Sequence, residues 1–209
     1  MKPAALLEAQ ALAAARGRAT LFAGLSFRLH AGQVLVVRGP NGSGKTTLLR
    51  ILAGLTAAVD GAVSWCGARV QPFDARLRRD VAYLGHAHAV KDELTAEENL
   101  RALLALAGEP ATPETLRAGL AAASLDAQRD LPARALSQGQ RRRIGLARLA
   151  ALARPLWVLD EPTTALYDSA IAWLVHLIGA HTANGGIVVA ATHQPLLTGD
   201  ARVATLTLG

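Results

Sequence analysis

The segment from Gln33 to Leu55, QVLVVRGPNGSGKTTLLRILAGL, constrains this chain more than any other. It opens with a short β-branched apolar run, Gln33 to Arg38, passes through glycines, and continues as a leucine-spaced stretch that stops near Gly54. That order reads as a buried strand, a tight turn and a helix. Inside it, Gly39, Pro40, Asn41, Gly42, Ser43, Gly44, Lys45 and Thr46 fit the pattern GxxxxGK[ST]. The glycines let successive backbone N–H groups converge on phosphate oxygens, and the start of the helix adds the positive end of its dipole. Lys45 is expected to reach the β- and γ-phosphates of ATP. The Thr46 hydroxyl is expected to ligate Mg²⁺, with Thr47 beside it in the same cradle. A glycine-rich turn with a chance lysine is the alternative, and the flanking strand and helix argue against it.

Length and composition bound the rest. A chain of 209 residues, 51% hydrophobic, is long enough for one large domain with a sizeable core. No apolar run reaches the ~18 residues that a membrane-spanning helix needs. Glu8 and Gln10 interrupt the apolar residues after Lys2, so a cleaved export signal is not expected. The single cysteine, Cys66, can form neither an internal disulfide nor a multi-thiolate metal site, which fits a reducing compartment. A net charge of +6 suits nucleic acid, nucleotide phosphates or an anionic membrane equally. With 4% aromatic residues, stacking platforms for single-stranded nucleic acid are disfavoured. The arginine groups, Arg76, Arg78 and Arg79 and then Arg141 to Arg143, read as solvated helix faces.

Two further runs, LWVLD (Leu156 to Asp160) and GIVVAATH (Gly186 to His193), are nearly continuous apolar stretches. Strands of that kind belong in a parallel sheet covered on both faces. LFAGLSFRL (Leu21 to Leu29) alternates more and predicts an antiparallel flank. Leucine and alanine at helical spacing between about Asp92 and Ala153 predict a helical insertion, and VATLTL at the end predicts an edge strand with no regulatory domain after it. Asp160 and Glu161 end the LWVLD strand, at the sheet edge where open α/β folds bind ligands. A strand-terminal acidic pair alone is ordinarily a solvated strand end. Following a phosphate loop, Asp160 is expected to hold Mg²⁺ through water and Glu161 to orient or deprotonate the attacking water.

Leu136, Ser137, Gln138, Gly139 and Gln140 spell LSQGQ, followed by RRRIGLARLAALA. Here the chain resembles the ATP-binding cassette (ABC) ATPases, whose LSxGQ signature it matches in full, and the resemblance covers nearly the whole chain. Ser137 and Gly139 open a helix whose first amides can bind an anion. The resemblance implies that Ser137, Gly139 and Gln140 contact the terminal phosphate of ATP held by a second copy, in a head-to-tail homodimer. It also implies that His193 is the switch histidine that holds Glu161 and the water in line. The expected fold is α/β: a P-loop NTPase with a RecA-like parallel sheet core, an N-terminal antiparallel β flank and an α-helical subdomain. Residues 1–209 form one cassette, with 1–90 and 154–209 as the core and 91–153 as the helical subdomain carrying the signature.

Three positions depart from the family. Where a glutamine usually lines the site, the chain reads Tyr83-Leu-Gly-His86-Ala-His88, and His86 is either the substitute or a plain loop histidine. After EPTTAL an aspartate is usual, whereas here Tyr167 precedes Asp168. Where an aromatic side chain usually stacks on adenine there is Arg16, either a guanidinium stacked on the base or an exposed turn arginine.

LFAGLSFRLHAGQ, YLGHAHAVKDELTAEENL and GGIVVAATHQPL together resemble the ATP-binding subunits of haem exporters in bacterial cytochrome c maturation. That resemblance implies a peripheral subunit on the cytoplasmic face of the inner membrane, docked through its helical insertion on the integral membrane subunits CcmB and CcmC. ATP turnover there supports release of the haem-loaded chaperone CcmE. Without CxxCH, neither His86 nor His88 is expected to bind haem. Two other classes share parts of the pattern: another small ABC transporter, and, beyond transport, a soluble P-loop kinase or a nucleic-acid-associated cassette. A kinase has no use for LSQGQ, and a nucleic-acid cassette usually carries a second cassette or a long coiled coil.

Overall fold

A computed structural model describes residues 6–86, 89–194 and 200–209. Lys2, His88 and the Pro195 and Leu196 of the terminal resemblance lie outside the described residues. The chain divides into two compact units: residues 1–83, 154–162 and 178–209, and residues 84–153 and 163–177.

The first unit holds two sheets. Five strands form one of them, in the order β6-β7-β8-β3-β9. They are β3 (Val34–Arg38), β6 (Val81–Leu84), β7 (Leu156–Asp160), β8 (Ile187–Ala191) and β9 (Val203–Thr207). β7 and β8 are buried at every position, as is β3 up to Arg38, and all their recorded pairings are parallel. Burial on both faces is why these strands are continuous apolar runs rather than alternating ones. β9 lies at an edge, as its sequence predicts. The second sheet is antiparallel, ordered β2-β1-β4-β5: β1 (Leu6–Arg16), β2 (Ala19–His30), β4 (Asp60–Trp65) and β5 (Ala68–Arg69). The core joins Leu7 and Leu12 of β1 and Phe22 of β2 to Leu35, Val37, Val158 and Val189 of the parallel sheet. Helix α1 (Lys45–Leu52) adds Leu48, Leu49 and Leu52 to it. A short helix, α2 (Ala75–Asp80), precedes β6.

The other side of β7 carries Trp157, whose ring stacks on His181 at 3.8 Å between centroids. Burial holds the His181 imidazole well below its ordinary pKa, at about 4. The unfolded chain therefore binds a proton as pH falls from about 6.5 to about 4 while the folded chain does not, so stability is lost across that window. By pH 4.5 we expect a loss of about 2 kcal/mol from this group, after discounting for partial exposure. Urea denaturation of His181→Phe, which keeps a stacking ring without a titrating nitrogen, should show a shallower fall between pH 6.5 and 4.5. An unchanged slope would remove the assignment.

In the second unit, helices α3 (Ala96–Leu106), α4 (Pro113–Ala122) and α5 (Gln138–Ala151) pack together through Leu100, Leu104, Leu116, Leu120 and Ile144. α6 (Asp168–Ala183) begins here and ends in the first unit. Each start is written in the sequence. Thr95 and Glu98 close a reciprocal capping box on α3, and Thr112 caps α4 ahead of Pro113. Asn99 is buried and pins the turn before α3, donating to the carbonyls of Lys91, Leu94 and Thr95 and accepting from the Lys91 amide.

The Arg141 to Arg143 run is not a solvated face. Arg142 is only 1% exposed, with its guanidinium donating to the carbonyls of Gly85 (3.1 Å) and His86 (3.4 Å). Arg143 donates to the carbonyls of Ala123 and Ser124. Arg141 pairs with Asp92 and caps the Leu136 and Arg134 carbonyls. A charge run in sequence is here a set of braces, because each guanidinium meets carbonyls that lack secondary-structure partners.

Candidate nucleotide site

The register of the parallel sheet aligns the first unit's chemistry. Asp160 of β7 lies opposite Ala191 of β8, and Ala191 lies opposite Val37 of β3. The chain leaves all three strands at one carboxyl edge, so Gly39, Glu161 and His193 each follow within two residues of the same row. That is the edge where open parallel sheets bind ligands.

Residues 39 to 44 form the turn between β3 and α1, with Gly39, Gly42 and Gly44 all at positive φ. At Gly39 no other residue fits, because a Cβ would collide with the Leu208 carbonyl and lie 2.7 Å from Ser43 Oγ. Lys45 begins α1 and is buried, with Nζ donating to the carbonyls of Gly39 (2.8 Å) and Pro40 (3.1 Å). Two of its three N–H donors thus hold the loop in shape. Ser43 Oγ is buried in the loop and makes no hydrogen bond among the described residues. A buried hydroxyl without a protein partner, in a turn whose glycines stand at positive φ, fits an anion-binding loop. Thr46 and Thr47 follow on the first turn of α1, Thr46 exposed.

Asp160 is buried at the end of β7. Glu161 sits in a left-handed backbone, φ +47, and its amide donates to the Ala191 carbonyl at 2.9 Å. Such a conformation costs about 1–3 kcal/mol for a residue other than glycine and persists where its surroundings enforce it. The Glu161 carboxylate is mostly covered, 19% exposed, and its Oε1 lies 3.4 Å from Nε2 of His193, which is 61% exposed. The structure therefore brings together the pair that the sequence places 32 residues apart. Tyr83, on the strand next to β7, escaped the sequence reading. Burial pushes its phenol pKa up, the charge of Asp160 pushes it further, and Arg50 pulls it back. Its only sequence signal is a tyrosine one residue before a strand end.

Arg16 is the last residue of β1, exposed beside the Gly17-Arg18 turn and paired with Ala19. Its hairpin reaches the phosphate loop, where Leu21 and Phe22 pack over Gly44. The guanidinium thus stands on the strand pair that covers the loop.

The remaining predicted residues belong to the second unit. Ser137 caps α5, its Oγ accepting from the Gln140 amide at 3.2 Å, while Gln140 Oε1 accepts from the Ser137 amide at 2.8 Å. Gln140 is thus committed to shaping the motif. Gly139 is buried because the backbone of residue 165 passes so close that a Cβ would lie 2.9 Å from the Ala165 carbonyl. Gly139→Ala is accordingly expected to lower folding stability by about 1–3 kcal/mol, read by urea denaturation; a midpoint equal to the parent's would show that the close approach is dispensable. Ser137, Gln140, Arg143, Leu166, Tyr167 and Trp173 are among the residues lining a groove of about 320 Å³. Tyr167 is 77% exposed and its carbonyl accepts from the amides of Ala170 and Ile171, which makes it the cap residue of α6. A tyrosine has no side-chain oxygen within reach of those amides, and Asp168 has moved inside the helix. His86 is exposed, beyond the end of β6.

Comparison with known proteins identifies the family. The profile of the family described as ABC transporter matches residues 22–164. The chain belongs to the ABC transporter family. As an ABC cassette it binds ATP and is an ATPase. It is 46% identical over 201 residues to the cytochrome c biogenesis ATP-binding export protein CcmA of Cupriavidus pinatubonensis, covering 96% of this chain and 88% of that one. The CcmA of Pseudomonas aeruginosa is 47% identical over 191 residues, covering 91% and 94%. Among solved structures, a putative ABC transporter ATP-binding protein from Pyrococcus furiosus superposes with a TM-score of 0.82 at 20% identity, covering 97% of each chain. An ATP-binding cassette solved as a dimer in a post-hydrolysis state with ADP and Pi superposes with a TM-score of 0.78 at 24% identity, covering 90% of this chain and 88% of the other. The P-loop α/β fold with its antiparallel flank is therefore the ABC cassette fold.

Proposed function

We propose that this cassette is the ATP-hydrolysing, energy-coupling subunit of a haem-export complex of c-type cytochrome biogenesis, peripheral to the cytoplasmic face of the inner membrane. The observation that carries the catalytic part is Glu161, held in a strained backbone with its carboxylate beside His193 at the sheet edge that holds the phosphate loop. The export part rests on the similarity to CcmA proteins. We read residues 1–209 as one cassette, with 91–153 as its helical subdomain.

In this reading the free backbone amides of the loop and the Lys45 ammonium take the β- and γ-phosphates, and Arg16 covers the base. Glu161 accepts a proton from water as the water oxygen bonds to the γ-phosphorus and the bond to the β,γ-bridging oxygen breaks, releasing ADP. His193 keeps Glu161 and the water aligned with the phosphate. The Thr46 hydroxyl and the Asp160 carboxylate are hard oxygen donors of the kind Mg²⁺ prefers. Bound between them, the ion would neutralise phosphate charge. Two copies work head to tail, each presenting Ser137 and Gly139 to the other's γ-phosphate. His86 takes the place of the glutamine that usually reports to the membrane partner, and the integral partners are CcmB and CcmC. No helix among the described residues is long and apolar enough to cross a membrane. Affinity purification from detergent-solubilised membranes, with identification of what co-elutes, tests the assignment. Recovery of CcmB and CcmC is expected, and recovery of a different permease would overturn it.

A further inference from the structure

Residues 69–80 build an exposed face of the first unit that the nucleotide chemistry does not use. Phe73 is 66% exposed and has φ +63, a left-handed backbone that bulky residues rarely adopt. Its amide donates to the Gly54 carbonyl at 2.8 Å, which fixes the loop and leaves the ring outside. Leu77 anchors α2 by burying against Gly54 and so turns Arg76, Arg78 and Arg79 outward. Both aspartates of the segment are already engaged: Asp74 with Arg76, and Asp80 as acceptor of the Trp65 indole N–H at 2.8 Å. Arg69, Arg78 and Arg79 form no ion pair among the described residues. A groove of about 100 Å³ is lined in part by Arg69 and by Ala58 and Pro72, the chain neighbours of the exposed Val59 and Phe73.

We propose that this face docks on an anionic phospholipid surface, with Phe73 and Val59 entering the boundary between headgroups and acyl chains and Arg69, Arg78 and Arg79 meeting lipid phosphates. Charge complementarity names the occupant: Arg69, Arg78 and Arg79 are exposed without an ion pair among the described residues, Phe73 and Val59 are exposed apolar side chains, and the groove lined by Arg69 is too small to seat a helix. Guanidinium stems cover apolar surface while their heads stay in the polar layer, and basic residues near an anionic bilayer contribute additively to binding. An aromatic ring at that depth supplies the apolar anchor. The strained Phe73 backbone keeps the ring outside, where packing in the protein could otherwise hide it.

Flotation of the full chain with vesicles tests this, using phosphatidylcholine alone and equal parts phosphatidylcholine and phosphatidylglycerol. The chain should float with the mixed vesicles and not with the neutral ones, and added salt should release it. Arg78→Glu combined with Arg79→Glu should weaken binding by at least about tenfold. Phe73→Gly removes the ring while relieving the backbone, so it should weaken binding about threefold or more with an unchanged or raised urea midpoint. ATP affinity of these variants, read separately, should equal the parent's, which keeps this test independent of the nucleotide site. Equal flotation with neutral vesicles, or variants that float like the parent, would overturn the proposal. So would absence of flotation with either vesicle, including the case where the charge reversals instead release the chain from purified membrane subunits, which would make the occupant an acidic protein segment.

Discussion

Glu161→Gln is expected to leave ATP binding within about twofold of the parent and to slow hydrolysis by about 10²–10⁴-fold, the range for loss of a general base. The amide side chain is nearly isosteric, and the backbone features that place it, φ +47 and the bond from its N–H to the Ala191 carbonyl, do not depend on the side chain. What disappears is the capacity to take a proton from water, together with the charge that faces His193 at 3.4 Å. The loss should therefore fall on turnover rather than affinity. An enzyme that binds ATP and cannot hydrolyse it should accumulate as an ATP-bound dimer on gel filtration. Steady-state phosphate release and nucleotide titration check the two halves. Parent-like turnover, or only monomers in the presence of ATP, would remove Glu161 from its role. His193→Ala provides the control on geometry: it leaves a base in place without its aligning neighbour, and should lower turnover by about tenfold or more.

The parts of this molecule legible in sequence are those whose cause is local. β3, β7 and β8 are readable because strands buried on both faces consist of apolar residues with nothing between. The phosphate loop is readable because its glycines are demanded by backbone geometry, and α5 because Ser137 and Gln140 cap it three residues apart. β1 was not readable. Its sequence, LLEAQALAAAR, holds no β-branched residue, and it is a strand only because β2 and β4 pair with it on both sides, through a bulge at Ala11. The arginine braces were hidden for the same reason. The carbonyls of Gly85 and His86 stand more than 50 residues before Arg142, and no spacing rule connects them. In the site itself, Glu161 and His193 could be named individually, but their 3.4 Å approach depends on the β7–β8 register, and the influence of Asp160 on Tyr83 depends on the β6–β7 neighbourhood.

Lys45→Ala should act earlier in the cycle, at binding. The ammonium carries the only full positive charge inside the phosphate loop, and two of its donors also tie down the carbonyls of Gly39 and Pro40. Alanine removes both the phosphate contact and that brace, and a hydrogen bond to a charged group contributes about 1.5–3 kcal/mol. One such contact corresponds to a loss of ATP affinity of about 10- to 150-fold, and hydrolysis should fall to background. Nucleotide titration by fluorescence checks it, and unchanged affinity would mean that the loop's backbone amides suffice. Lys45→Arg separates the two causes, because it keeps the charge while its longer, planar head cannot reproduce both carbonyl contacts. Affinity near the parent's would assign the effect to charge, and affinity near that of Lys45→Ala would assign it to loop shape. In the native cell the same alanine substitution should abolish holo c-type cytochromes while b-type cytochromes persist. In the proposed function, covalent attachment of haem is the step that this cassette serves, and non-covalent haem insertion is not. Persistence of both would leave the ATPase assignment standing and transfer the cassette to another transporter.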